Sequence, residues 1–181
     1  MQDAAKYDKI ETLKNGTTVR IRAIDADDKD RLSEAFHNLE AESVYTRFFH
    51  HKKSLTDAEL KAATEVDFEK VVALVATVGE GEDEVIIGSG RYISFGDAHP
   101  QPSAEVAFAV EEDYGGQGLA SRLLRHLASI GREKGISSFE AEVLPENKAM
   151  LTVFERSGLP MTKAYQGGSL HVTLSLAKGG A

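Results

Sequence analysis

Hydrophobic and polar positions alternate in "TTVRIRAI", residues 17–24. Val19, Ile21 and Ala23 stand against Thr18, Arg20 and Arg22, and this two-residue period predicts a half-buried strand. Beyond it the period lengthens. Leu32, Phe36 and Leu39 recur at helical spacing behind an acidic start at residues 25–28, which suits the positive end of a helix dipole. "AESVYTRFF" continues as a short helix that turns Val44, Tyr45, Phe48 and Phe49 inward. "LTDAELKAAT" follows as another, with Thr56 and Glu59 at the capping-box spacing.

From residue 69 onward the pattern is strand-like. "KVVALVATV" and "DEVIIGSGRYIS" flank the acidic turn "GEGED" and read as an antiparallel hairpin, with "SAEVAFAV" a third strand. An amphipathic helix is predicted over residues 117–134, with Leu119, Leu123, Leu124, Leu127 and Ile130 on its apolar face and Gly135 at its end. "SSFEAEVL" is a strand, "NKAMLTVFERSG" a helix closed by Gly158, and the remainder a hairpin turning at Gly167 and Gly168. The order is that of a mixed α+β sheet in one domain, residues 16–181, behind a polar and loosely attached extension of residues 1–15.

Composition narrows the function. With 41% hydrophobic and 28% charged residues, the chain of 181 residues is that of an ordinary folded domain. The absence of cysteine removes disulfides, thiolate metal sites and a cysteine nucleophile together. A net charge of −8 argues against a broad nucleic-acid surface, and no apolar run is long enough to span a membrane or serve as a secretory signal, so a cytoplasmic enzyme is expected. His50 and His51, beside Lys52 and Lys53, read as a solvated helix end, because no other histidine stands at metal-ligand spacing; no metal is expected.

Candidate chemistry centres on "YGGQGLASRLL", residues 114–124. Glycines at 115, 116 and 118 serve either a tight bend or the close approach of a ligand to the backbone. The N–H groups at a helix start have no partner within the helix, so Gly115, Gly116, Gln117, Gly118, Leu119 and Ala120 could cradle a phosphate, with the Ser121 hydroxyl nearby. Two familiar phosphate loops do not fit. A P-loop needs lysine and then serine or threonine after its last glycine, and a dinucleotide fingerprint needs a further glycine at Ser121 within a parallel βαβ unit. The absence of a GxSxG motif likewise leaves no support for a serine hydrolase.

The strand "EVAFAV", the loop "GGQGLA" and the run "PENKAMLTVFERSGL" together resemble the GNAT acetyltransferase superfamily. Its signature is Gln or Arg, two variable residues, Gly, one variable residue, then Gly or Ala. Gly118 and Ala120 match its second half, while Gly115 stands where Gln or Arg is usual. The resemblance runs from about Thr17 to Leu176. Within it, "ESVYTRFFHHKKSLTDAEL" and "VLPENKAML" are similar to bacterial protein lysine acetyltransferases and to acetyltransferase domains associated with acyl-CoA synthetases.

What the resemblance implies is specific. The fold would be a central, mostly antiparallel sheet with helices on both faces and a split between two parallel strands, "AEVAFAV" and "FEAEVL". Acetyl-CoA would lie in that split as cosubstrate, its pantetheine along Phe108, Ala109 and Val110 and its diphosphate on the helix start. Asn147 matches the family asparagine and reads either as a pantetheine contact or as a helix cap. Phe154 stands where many members carry a tyrosine; it cannot donate a proton, and its expected part is packing against the cofactor arm. Tyr114 and Tyr165 are weaker candidates for an acid.

An amine must lose a proton before it can attack a thioester, and a free lysine is neutral in only about one molecule in a thousand near pH 7. Glu105, at the start of the cofactor strand and facing away from Val106, Phe108 and Val110, is the candidate base; the alternative is a solvated carboxylate at a strand end. It also matches the catalytic glutamate of histone-type members. His171 could face the acceptor groove or lie exposed on the last strand. The expected activity is direct acetyl transfer to an amine. The acceptor would be a protein lysine, on an acyl-CoA synthetase or another lysine-bearing partner, or alternatively a small-molecule amine such as an amino acid or polyamine. From another class comes a module that senses acyl-CoA without transferring it. The chain would act as a monomer or homodimer.

Overall fold

A computed structural model describes residues 4–37, 56–95, 102–110 and 118–176. The readings made above for the helix of residues 41–49, for His50 and His51, and for Tyr114, Gly115, Gly116 and Gln117 lie outside the described residues.

One eight-stranded sheet organises the chain, in the order β1-β2-β3-β4-β5-β6-β8-β7. The strands are β1 (Asp8–Thr12), β2 (Thr18–Ala23), β3 (Val71–Val78), β4 (Val85–Phe95), β5 (Ser103–Val110), β6 (Ser138–Val143), β7 (Met161–Gln166) and β8 (Ser169–Ser175). Every neighbouring pair is antiparallel except β5 and β6, which run parallel. The crossover between those two is the helix α3 (Leu119–Glu133), as a parallel connection requires. Two shorter helices, α1 (Lys29–His37) and α2 (Asp57–Thr64), precede the central strands, and α4 (Lys148–Glu155) precedes the last hairpin.

The helices cover the two faces separately. On one face Leu32, Ala35, Val66 and Phe68 pack over Ile24, Ala73, Val75 and Ile86. On the other, α3 buries Leu119, Leu123, Leu124, Leu127 and Ile130, a stripe at helical spacing. Each such leucine contributes about 1.5–3 kcal/mol by leaving water. The fit is close enough that a side chain at Gly90 would meet Phe108 Cδ1 at 2.9 Å and Leu127 Cδ1 at 3.2 Å. Only a glycine in β4 lets α3 lie this near the sheet.

The N-terminal segment differs from its expected loose attachment. β1 pairs with β2 along its length, and Tyr7 and Leu13, on either side of it, are buried. A clamp on α3 holds it. Glu11 accepts from Arg125 Nη2 at 2.7 Å and His126 Nε2 at 2.6 Å and pairs with Arg122 Nε at 3.3 Å, while the Tyr7 hydroxyl bonds His126 Nδ1. Facing a carboxylate, Nε2 is the donor, while the Tyr7 hydroxyl at Nδ1 can serve in either role. Burial lowers the His126 proton affinity, against the opposing pull of Glu11.

A second polar network joins β2 to the first helical turn. Asp28, fully buried, accepts from Arg22 Nη1 and Nη2 at 2.8 Å each, from Arg31 Nη1 at 3.1 Å and from the Asp25 N–H at 2.9 Å. Arg22 also donates to Glu84 at 3.1 Å. The cap expected for α2 is present in full, with the Thr56 hydroxyl accepting from the Glu59 N–H at 3.1 Å and the Glu59 carboxylate from the Thr56 N–H at 2.9 Å.

Candidate active site

β5 and β6 pair at three positions only, Ser103 with Ser138, Ala104 with Phe139 and Glu105 with Glu140. Beyond Glu105 they part. β5 continues on β4 as far as Val110, and β6 continues on β8 as far as Val143. The closed end is tied by the hydroxyls of Ser103 and Ser138, 2.7 Å apart, and by the Pro102 carbonyl, which accepts from the Ser137 N–H at 2.8 Å and its hydroxyl at 3.0 Å. The open end leaves two facing strand edges without ladder bonds. An extended ligand carrying amides can supply what is missing there, since backbone donors and acceptors inside a sheet demand partners.

The alternation of β5 divides the expected site residues. Phe108 turns into the core with Ala104 and Val106, whereas Ala109 is half-buried on the same face as Glu105. Val110 is half-buried against the core at the end of the strand. Glu105 is exposed, at the last paired position before the split. Arg91, half-buried on β4, shares its face: burial lowers its proton affinity and the charge of Glu105 opposes that shift. A cation therefore stands on one side of the candidate base and the opening of the split on the other.

The start of α3 sits at the same end. Gly118 is its N-cap, with φ +86° in the left-handed region that a side chain disfavours. Bond formation is local there, as the Gly118 carbonyl accepts from the Arg122 N–H and from Arg122 Nη1, each at 3.1 Å. The Leu119 side chain is buried, Ala120 half-buried and Ser121 exposed. Arg122 Nη1 and the Lys14 chain lie 2.4 Å and 3.6 Å from where a side chain at Gly118 would begin. The first N–H groups of a helix have no carbonyl partner within it, so cationic side chains and backbone donors gather at one end of the split. This donor set fits a diphosphate.

Two expected contacts are accounted for within the fold itself. Asn147 caps α4, its Oδ1 accepting from the Met150 N–H at 3.2 Å, which is the cap reading of that residue. The Phe154 ring is buried at 1% exposure and meets Phe108 edge-on, with centroids 6.3 Å apart. It supports the strand that borders the split from beneath. Tyr165, by contrast, is 74% exposed on β7.

His171 is not the simply exposed strand residue that was one of its two readings. Its Nε2 lies 2.7 Å from Glu140 Oε1, its Nδ1 bonds Glu142 Oε1, and the Ser169 hydroxyl donates to Glu142 Oε2 at 2.6 Å. Glu140 and Glu142 were not singled out from the sequence. The visible signal was their alternation with Phe139, Ala141 and Val143 in "FEAEV", but their partner lies on β8 and only the β6–β8 register brings it to them. Among the described residues no group of three or more acidic or histidine side chains is arranged to hold a metal ion, and no helix is long and apolar enough to cross a membrane.

A mixed sheet split between two parallel strands, with a helix start facing the split, defines an acyltransferase fold of the kind that takes its acyl donor into a sheet. Residues 18–160 match the acetyltransferase (GNAT) domain, and the chain belongs to that family. Among solved structures, the GNAT domain of S. lividans PAT is 35% identical, with a TM-score of 0.85 over 93% of this chain and 96% of that one. Acetyltransferase Pat of Mycolicibacterium smegmatis is 32% identical over 81% of this chain, which spans 42% of the length of that relative. The fold is shared, at 20% identity and a TM-score of 0.69 over 90% of this chain and 96% of that one, with yncA of Salmonella typhimurium, a putative acetyltransferase solved with its cofactor acetyl-CoA. The protein is thus an acetyltransferase of this family.

Proposed function

We propose that the protein transfers an acetyl group from acetyl-CoA directly to the ε-amine of a lysine on a partner protein, with Glu105 as general base. The observation that carries this reading is the position of Glu105, on the last rung before the split and on the face away from the core. The likeness to Pat and to the S. lividans PAT domain supports a protein lysine as acceptor. An acyl-CoA synthetase is the partner suggested by the sequence.

In this reading the donor's amide arm lines β5 from Phe108 to Val110. Its diphosphate rests on the α3 start at Gly118, Leu119 and Ala120, and Ser121 and Arg122 stand within the same turn. The Glu105 carboxylate removes one proton from the lysine ammonium. The freed nitrogen pair attacks the thioester carbonyl carbon, the carbon–sulfur bond breaks, and the electron pair leaves with sulfur. The nitrogen's second proton passes to the thiolate or to water. A thiol leaves readily as its anion, with an ordinary pKa near 8.5, so the phenylalanine at position 154 is no obstacle.

The test is to incubate the protein with acetyl-CoA and candidate lysine-bearing acyl-CoA synthetases, with amino acids and polyamines in parallel, and to measure released CoA thiol and acetylated lysine. Acetylation of a synthetase, lowered about 100-fold to 10,000-fold in Glu105→Gln, is the expected result. Thiol release with small amines alone would move the acceptor class. Release with none of the amines would point to a binding module.

A further inference from the structure

Two glutamates stand side by side in the sheet where the split opens. Glu105 and Glu140 face each other across the last parallel rung, on strands about 4.8 Å apart, and both lie on the face that carries Arg91 and His171. Carboxylates set side by side without help compete for one proton and titrate as a pair. A general base works best when that proton has one destination.

His171 engages the second carboxylate. With Glu140 at one ring nitrogen and Glu142 at the other, ionised carboxylates can only accept, so holding both bonds at once requires a ring protonated at both nitrogens. The electrostatics agree. The bond to Glu142, then that to Glu140, holds the ring's proton affinity above its ordinary value against the effect of burial. In Glu142 burial acts upward but is outweighed by Ser169 and His171, which leave it below the usual carboxylate range. No further described titratable group joins them at the paired position on β7, where Ala164 stands opposite His171 while Lys163 and Tyr165 alternate to the other face. Across β6, the next charged groups on this face are Glu105 of β5 and Arg91 of β4.

We propose that His171 is a positioning residue for acetyl transfer: by bridging Glu140 and Glu142 it commits the Glu140 carboxylate to its ring and leaves Glu105 as the single carboxylate at the mouth of the split that takes the acceptor's proton. The proposal rests on the reading of Glu105 as base. It assigns His171 no contact with either substrate. Its action runs through Glu140, and that gives it a signature that a merely structural histidine would lack.

The test follows the carboxyl carbon of Glu105 by NMR titration in the wild type, His171→Gln, His171→Arg and the double variant His171→Gln with Glu140→Gln. Wherever turnover is measurable, kcat/KM is followed against pH in the same set. In His171→Gln, whose neutral amide brings no positive charge to Glu140, the Glu105 titration and the acidic limb of the rate profile should move up by about one pH unit. Arginine, a permanent cation with several donors, should return both toward wild type. So should the double variant, because the competing carboxylate is gone. An unmoved Glu105 titration in His171→Gln, or a double variant that stays shifted, overturns the proposal. Glu105→Gln is measured alongside: full turnover there removes the base assignment, while the carboxyl titration still decides whether His171 governs the pair.

Discussion

The Leu119 side chain occupies the ground that a side chain at Gly88 would need: a β-carbon there would lie 3.0 Å from Leu119 Cδ2 and 3.3 Å from the Ala109 carbonyl oxygen. Gly88 is paired with Val110, so this contact seats the first residue of α3 against the rim of the split. Gly88→Ala should push the helix start away from the strand, because the leucine can turn but the carbonyl cannot. The expected cost is about 1–3 kcal/mol of overpacking, expressed as weaker acetyl-CoA binding by calorimetry beyond what a denaturant titration records as lost stability.

Asn147 separates two roles by experiment. If its work is the cap seen on α4, Asn147→Ala should lower stability by about 1 kcal/mol. Asn147→Asp or Ser should then restore it, with acetyl-CoA affinity unchanged throughout. Weakened acetyl-CoA binding in all three variants would give the amide a direct contact with the donor.

Asp28 gives the fold an acid-sensitive point. Burial alone would push its carboxyl up, but Arg22, the Asp25 N–H and Arg31 together hold it below the ordinary value of 3.8. Because the native group releases its proton more readily than the unfolded one, its stabilising contribution is complete above the ordinary value. It is lost as the pH falls through the depressed native value. Unfolding free energy measured against pH should therefore drop more steeply below pH 4 in the wild type than in Asp28→Asn. That variant starts lower at neutral pH, because Arg22 keeps its burial, loses the Asp28 charge and retains Glu84 as its close counter-charge.

Glu11 holds β1 on α3 through hydrogen bonds from Arg125 and His126 and an ion pair with Arg122. Glu11→Ala should cost roughly 1.5–3 kcal/mol, the range for hydrogen bonds to charged groups. The loss should be local: amides of residues 8–12 exchange faster, while those of β3 and β4 keep their protection.

The sequence made these elements visible to different degrees, and the reason is range. The α2 cap and the apolar stripe of α3 were legible because both arise within one or two helical turns. β1 was not, because every position from Asp8 to Thr12 is exposed or half-buried, so no two-residue period marks it; only its flanks at Tyr7 and Leu13 reach the core. The split and Glu105 were read from a resemblance in which "EVAFAV" and the glycine loop carried the signal. Glu140 and Glu142 escaped notice, and His171 was read without them, because a strand pattern shows that two glutamates share a face but not which strand lies beside them. That needs the register of β6 with β8, set by residues some thirty positions apart.

The ladder between β5 and β6 has only three rungs. It makes the sheet a pair of plates sharing a short spine, and whatever fills the gap between them becomes a structural member as well as a reactant. With the donor seated as proposed, the two plates gain a bridge, so amide exchange along the open edges of β5 and β6 should slow when it binds.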